Sequence, residues 1–258
     1  EIPSGPLTLI DDGHSLHING DTISGTAAAV PWGQRASHAV SIININGQPH
    51  VVLIPTSKVE YTPDFSMARE PRDHLSASNA AFISAPITNT ADISLVRFAG
   101  AAMRSAQIAG AMQAAIKITV TYATEREQFG RPLAKFQAIQ QMLAIAAAKS
   151  VEACMSAEIA FWTIDRTNAD LSKAEFDIAS AKVVCSEAVE AITDTSHEVH
   201  GAIGFTQEHD LHFITQRLWT WRAEFGSESF WAERLGRSIL SRGAKNLWPD
   251  LIARQSGA

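Results

Sequence analysis

YATEREQFGRPLAKFQ, residues Tyr122–Gln137, is the corner on which the reading of this chain turns. Upstream of it, apolar residues within 93–124 recur at helical spacing, with small residues at Gly100, Ala101, Gly110 and Ala111 that allow close helix packing. Gly130 and Pro132 then end one helix and start the next. Downstream, Leu133–Ile164 reads as a long helix with an Ala-rich centre, and Arg166–Asp170 is a polar break. Ser172, followed by Glu175 three residues on, has the spacing of a capping box that opens a helix to about His197. A loop at His200–Gly204 follows, then a shorter helix from Gln207 to about Arg217 and a last one over Glu228–Arg242. The pattern predicts an up-down bundle of about four long antiparallel helices.

The chain before this bundle differs in kind. Residues 1–92 hold eight of the ten prolines. Short β-type runs precede Asn19-Gly20 and flank Asn46-Gly47, and an Asn-Gly between apolar runs is a hairpin signal. Ala80–Ile83 reads as a further strand. The predicted fold is α+β: a small antiparallel β-domain over 1–92, Greek-key or meander, followed by a helical bundle over 93–258.

Composition narrows the functional classes. The 258 residues carry a formal net charge of −6 and no basic block, which argues against nucleic-acid binding. No apolar run approaches the ~20 residues of a membrane span. Two cysteines, Cys154 and Cys185, make neither a disulfide framework nor a zinc pattern, and a reducing, cytoplasmic compartment is expected. The first residue is Glu1, and the chain is expected to be a portion of a longer product or a shortened protein.

Several groups of residues are candidates for chemistry. His197, His200, His209 and His212 lie near Glu198, Glu208 and Asp210, but their spacing departs from the helical zinc signatures, so solvated or core-capping histidines are expected and no metal. Gly201-Ala202-Ile203-Gly204 lacks the glycine spacing of a dinucleotide fingerprint and reads as a helix C-cap turn. At the corner, Arg126 beside the start of the next helix suits an anion such as a pyrophosphate, unless Glu125 or Glu127 neutralises it in an ordinary salt bridge. Trp219, Trp221 and Trp231 with Phe225 and Phe230 form an aromatic group expected in the core.

YATEREQFGRPLAKFQAIQ resembles the signature between the second and third bundle helices of acyl-CoA dehydrogenases. VHGAIGFTQEHDLHFITQR resembles their second signature, and DGHSLHINGDTISGTAAAVPWGQRASHAV their middle β-domain. The resemblance spans essentially the whole chain and implies FAD, an acyl-CoA substrate and α,β-dehydrogenation, with the flavin between one subunit's β-domain and its neighbour's bundle. The family's N-terminal helical domain has no counterpart here. Position by position, the resemblance gives Arg126 to the neighbour's FAD diphosphate and places Phe129, Phe136 and Gln137 along the same half-site. Gly201 and Ala202 fill the glycine turn under the dinucleotide. Glu198 stands where a glutamine is usual, and its charge would repel phosphates.

The half that would hold the chain's own flavin departs further. Around Val30, Pro31 and Trp32, the flavin-stacking tryptophan falls on Ala29 and the threonine facing flavin N5 falls on Pro31. The catalytic glutamate of an E-G-T turn falls on Phe225, within Phe225-Gly226-Ser227, and the alternative base position falls on Gly100. Glu224 is the nearby carboxylate that could replace them.

The leading expectation is therefore a subunit of a heteromeric acyl-CoA dehydrogenase of the steroid-side-chain kind, which supplies half of a FAD site to a catalytic partner chain and passes electrons to a separate acceptor. The alternatives are a self-sufficient homotetramer with Glu224 as base, a flavin monooxygenase of the same superfamily, and a scaffold subunit without flavin.

Overall fold

The computed structural model describes residues 3–11, 15–88 and 94–255. Two four-stranded sheets form the N-terminal part. One contains β1 (Leu7–Leu9), β4 (His38–Ile45), β5 (Gln48–Pro55) and β8 (Ile83–Pro86) in the order β1-β4-β5-β8. The other contains β2 (Leu16–Asn19), β3 (Thr22–Pro31), β6 (Glu60–Thr62) and β7 (Arg72–Ala81) in the order β2-β3-β7-β6. Asn46 and Gly47 both have positive φ, as a two-residue hairpin turn requires, and they join β4 to β5. Ile23, Val30, Ile43, Val52, Ile54 and Leu75 fill the core of this domain.

Two expectations change here. The domain is not wholly antiparallel, because β1 pairs with β4 in parallel. The strand expected at Ala80–Ile83 is split at Phe82, so that β7 ends in one sheet and β8 begins in the other. The boundary expected at 92/93 falls outside the described residues.

The second part is helical: α1 (Leu95–Glu125), α2 (Gln137–Arg166), α3 (Glu175–His200), α4 (Leu211–Ala223), α5 (Glu228–Arg242) and α6 (Leu247–Gln255). Phe98 near the start of α1, Ala160 near the end of α2 and Ile178 near the start of α3 share one buried cluster, which fixes the up-down-up course. The fourth side is built from α4 and α5 in tandem rather than from one long helix, and α6 continues beyond the helix expected to be last. The helix expected over Gln207–Arg217 starts later and runs further, as α4. The capping box does not form: the Ser172 hydroxyl turns back to the Asp170 carboxylate, and α3 begins behind Ala174 without a side-chain cap. No described helix is long and apolar enough to cross a membrane.

Candidate functional site

Between α1 and α2 the chain makes a small hairpin, β9 (Glu127–Gln128) against β10 (Arg131–Pro132). Phe129 and Gly130 at its tip have φ of 55° and 79°, so both central residues are left-handed, as in a primed two-residue turn. This geometry pushes Phe129 out to 90 % exposure, its ring edge-on to Phe136 at 6.2 Å. Arg126 is the C-cap of α1, and Phe136 and Gln137 open α2. Among the described residues Arg126 forms no ion pair, so the salt bridge to Glu125 or Glu127 that would have explained it away is not made. Phe136 offers no side-chain cap, which leaves first-turn N–H groups of a 30-residue helix open at the same corner.

The second signature meets this corner through rings. His200, the last residue of α3, stacks on Tyr122 at 4.4 Å, and His209 packs edge-on against His200 at 4.6 Å. Gly201 is the C-cap of α3 with φ 64°, and Gly201–Phe205 continues as a 3₁₀ turn with Gly201 and Ala202 exposed. Glu198 is also exposed. His197 stacks on Phe205 at 4.1 Å and bonds the Thr215 hydroxyl through Nε2 at 3.0 Å. Burial lowers the pKa of both His197 and His200. Among the described residues no three His, Cys, Asp or Glu side chains converge as metal ligands. A cleft of about 640 Å³ runs from this end of α3 to the 67–69 loop of the β-domain, walled by His197, Phe205, Phe213 and Trp219. Trp219 thus lines a cleft, whereas Trp231 and Trp221 are core residues as expected.

The interior face between the two domains is arranged differently. Glu224 does not stand free as a base. Arg72 Nε donates to its Oε1 at 2.6 Å and Arg104 Nε to its Oε2 at 2.6 Å, so both carboxylate oxygens are held by guanidinium groups. Arg72 also donates to Glu70, which accepts from Arg217 and from Trp221 Nε1. Burial works against the charge on Glu70, and the bonds from Trp221, Arg217 and Arg72 outweigh it and hold the carboxyl below the usual carboxylate range. Glu70 and Arg72 come from the β-domain, while Arg104, Arg217, Trp221 and Glu224 come from the bundle. One ion-pair chain therefore welds the two domains together. No sequence spacing signals it, since apart from the Arg72–Glu70 bond its bonds join residues 120 to 152 positions apart.

Next to Glu224, the Phe225 ring lies against Gly100: a Cβ built on Gly100 would come within 2.2 Å of it. The two positions to which the resemblance assigns a catalytic carboxylate thus meet face to face, filled by a phenyl ring and a bare backbone. The turn is held there by Trp231 Nε1, which donates to the Phe225 carbonyl at 3.0 Å, and by Lys182 Nζ, which donates to the carbonyls of Arg222 and Gly226 at 2.7 and 3.0 Å. Ser227 caps α5, accepting from the Phe230 N–H.

On the β side, Val30 is buried, Ala29 sits at a bulge with φ 54°, and Trp32 is also left-handed at φ 54°. Pro31 stands in register with Arg72, and its carbonyl accepts from the Thr8 hydroxyl. The Pro31 position is therefore linked through Arg72 and Glu224 to Phe225 and Gly100. These residues do not fit an isoalloxazine ring: Pro31 offers neither a hydroxyl nor an N–H, and the adjacent Arg72 and Glu224 are committed to each other. The exposed residues at the Arg126 corner do fit a nucleotide diphosphate, with a free guanidinium, a helix N-terminus and an exposed ring together.

These sites sit on a recognised family. Residues 98–240 match the acyl-CoA dehydrogenase C-terminal domain, and the chain belongs to the acyl-CoA dehydrogenase family. It is similar to the acyl-CoA dehydrogenase IpdE2 of Mycolicibacterium smegmatis, with 27% identity over 175 residues, which cover 67% of this chain and 53% of that protein. The chain thus spans about half the length of this curated relative. Its fold matches a chain of the ChsE4–ChsE5 complex from Mycobacterium tuberculosis, with a TM-score of 0.79 and 23% identity over 91% of this chain and 66% of that one. It also matches a chain of the Tcur3481–Tcur3483 steroid acyl-CoA dehydrogenase G363A variant, with a TM-score of 0.76 and 22% identity over 94% and 64%.

Proposed function

We propose that this chain is the accessory subunit of a heteromeric acyl-CoA dehydrogenase and supplies the diphosphate-side half of a FAD site to a catalytic partner chain. The observation that carries this reading is the packing of Phe225 on Gly100. Where a dehydrogenase needs a carboxylate at the substrate's α-carbon, this chain has a ring pressed on a glycine, and the nearest carboxylate, Glu224, is engaged by Arg72 and Arg104. A base must accept a proton in the transition state, and a carboxylate whose lone pairs are already committed is poorly placed to do so.

When bound, FAD supplies the hydride acceptor. This chain's own contribution is to hold the cofactor: Arg126 meets the diphosphate with a guanidinium that no described carboxylate pairs, the open end of α2 adds N–H donors, and Phe129 and Phe136 flank the adenine side. Gln137 and the Gly201-Ala202 turn complete the half-site, and Glu198 weakens it. The partner chain provides the base, the flavin-ring pocket and the acyl-CoA contacts, and a separate electron acceptor reoxidises the flavin. Heteromeric and steroid-linked structural neighbours support the choice of a steroid-type acyl-CoA thioester as the substrate class.

The test is co-expression with candidate partner chains. Alone, the chain should carry no yellow flavin and no activity. With its partner, the complex should bind FAD, and Arg126→Gln should strip that FAD while leaving the complex assembled. One FAD per chain and full turnover in the absence of any partner defeat the proposal.

A further inference from the structure

Four of the nine histidines stand at one joint, between residues 197 and 212. There the Gly201–Phe205 turn meets the end of α3, the Tyr122 end of α1 and the start of α4. The turn is seated on two of the imidazoles. Gly204 is its one buried residue, and a Cβ built on it would stand 3.0 Å from the His200 Cβ, 3.1 Å from Leu211 Cδ2 and 3.2 Å from His197 Nδ1. Phe205, 70 % exposed, rests on the His197 ring. His200 in turn ties the joint to α1 through its stack on Tyr122.

These rings are placed for their neutral forms. His200 Nδ1 donates to the Ser196 carbonyl at 2.7 Å, so Nε2 carries the lone pair, and that nitrogen is buried with no hydrogen-bond partner among the described residues. His197 spends Nε2 on the Thr215 hydroxyl and leaves Nδ1 buried and likewise unpartnered against Gly204. His209 Nδ1 accepts from the Leu211 N–H at 3.1 Å, a bond that a protonated nitrogen cannot accept. A phenyl ring would pack at positions 197 and 200 without orphaning a nitrogen, so packing alone does not account for imidazoles there.

We propose that His197 and His200 form an acid-released latch: neutral, they seat the Gly201–Phe205 turn at the α1 corner, and on taking up protons they let it go. A proton on His200 Nε2 or His197 Nδ1 creates a buried N–H without an acceptor and a charge in a dry joint, and opening relieves both. The surroundings work in the same direction. His200 faces Tyr122 from α1, His197 from its own helix and His209 from the segment before α4, where a second charge 4.6 Å away would oppose the first. His197 faces His212 from α4, and Arg69 of the β-domain lines the same cleft. Asp194, exposed one turn back on α3, is the carboxylate that favours charge on His197. Glu198, Glu208 and Asp210 are exposed, and among the described residues they pair with none of these rings.

Burial lowers the pKa of both His197 and His200, so the closed joint binds fewer protons than the open one. The open fraction therefore rises as the pH falls below the ordinary histidine value of about 6.5, by up to about tenfold per pH unit for each histidine. The link to the cofactor rests on the proposed half-site: as the turn lifts, Gly201 and Ala202 come away from the Arg126 corner, and the grip on the nucleotide loosens in acid.

NMR of the histidine rings and of the backbone amides of residues 201–206, on the chain alone, tests the latch directly. As the pH is lowered from about 8 to about 5, the His197 and His200 rings should titrate below the ordinary range. The turn amides should shift in the same step, with helical circular dichroism unchanged. His197→Phe with His200→Phe keeps both ring stacks and should abolish the amide shift. His200→Phe alone should remove the His200 part of it, which keeps the test sharp if the double variant folds poorly. Ordinary titration of both rings overturns the proposal, as do turn amides that stay still or that shift equally in the variants. In a complex with a FAD-binding partner, the FAD dissociation constant should rise about tenfold or more between about pH 7 and pH 5.5 in the parent and clearly less in the double variant; an equal rise in both overturns the proposal. A complex that takes up no FAD at any pH defeats the half-site reading instead, and the amide transition still decides the latch.

Discussion

Replacing Glu224 by Gln separates a structural carboxylate from a catalytic one. The substitution keeps shape and removes charge, leaving Arg72 and Arg104 facing each other across a neutral amide. Both guanidinium groups are nearly buried, and the Glu224 side chain is 18 % exposed. Breaking a fully buried pair by removing one partner costs about 3–5 kcal/mol. Residual solvent contact at Glu224 brings the expected loss to about 2–3 kcal/mol. For a chain of this length each kcal/mol moves the midpoint about 2–4 °C, so thermal unfolding should show a drop of roughly 5–10 °C. A cycle with Arg104→Met should recover part of the loss, since the double variant leaves one fewer unpaired charge inside. In the proposed complex with a catalytic chain, residual turnover should follow the amount of folded protein. A midpoint shift below about 2 °C together with abolished turnover and retained flavin would refute the reasoning and make Glu224 the base.

Two further results are expected. Gly100→Ala drives a methyl group into the Phe225 ring and should cost about 3 kcal/mol by overpacking, whereas Gly100→Ala with Phe225→Leu should melt close to the parent, as urea titration of the three proteins would show. Burial lowers the Lys182 ammonium to about 8, while Cys185, also through burial, is raised to about 12. The unfolded chain therefore binds more protons at Lys182 once the pH passes 8, and stability should rise there. Above about pH 9 the unfolded chain loses the Cys185 proton that the fold retains, and stability should fall. Unfolding curves from pH 7 to 11 should peak between about pH 9 and 10, and Lys182→Met should remove the rising limb.

How much was visible in the sequence depended on the range of the interaction. The Asn46-Gly47 turn, the corner at Phe129-Gly130 and the Gly201 cap were legible because each depends on a residue that tolerates positive φ. Strand β7 was largely missed, although Leu75, Ala77 and Ala80 are buried between exposed His74, Ser76, Ser78 and Asn79, because Arg72 and Asp73 at its start look like loop residues and are in fact buried. Their burial depends not only on neighbouring Glu70 but on Glu224 and Gln34, partners that no local window contains. Ser172 and Glu175 had the right spacing for a cap, but the hydroxyl found a closer acceptor in Asp170. At the site, the family resemblance named Gly100 and Phe225 separately, and only the fold put one on top of the other.

That contact also imposes an order on mutational history. A glutamate could enter at position 100 only after residue 225 had shrunk, and a glutamate at 225 would have to stand next to Glu224 and displace an aromatic ring from its seat. No single exchange at either position gives back a proton acceptor without a steric or charge penalty. A larger side chain at position 100 therefore requires a smaller residue 225 first.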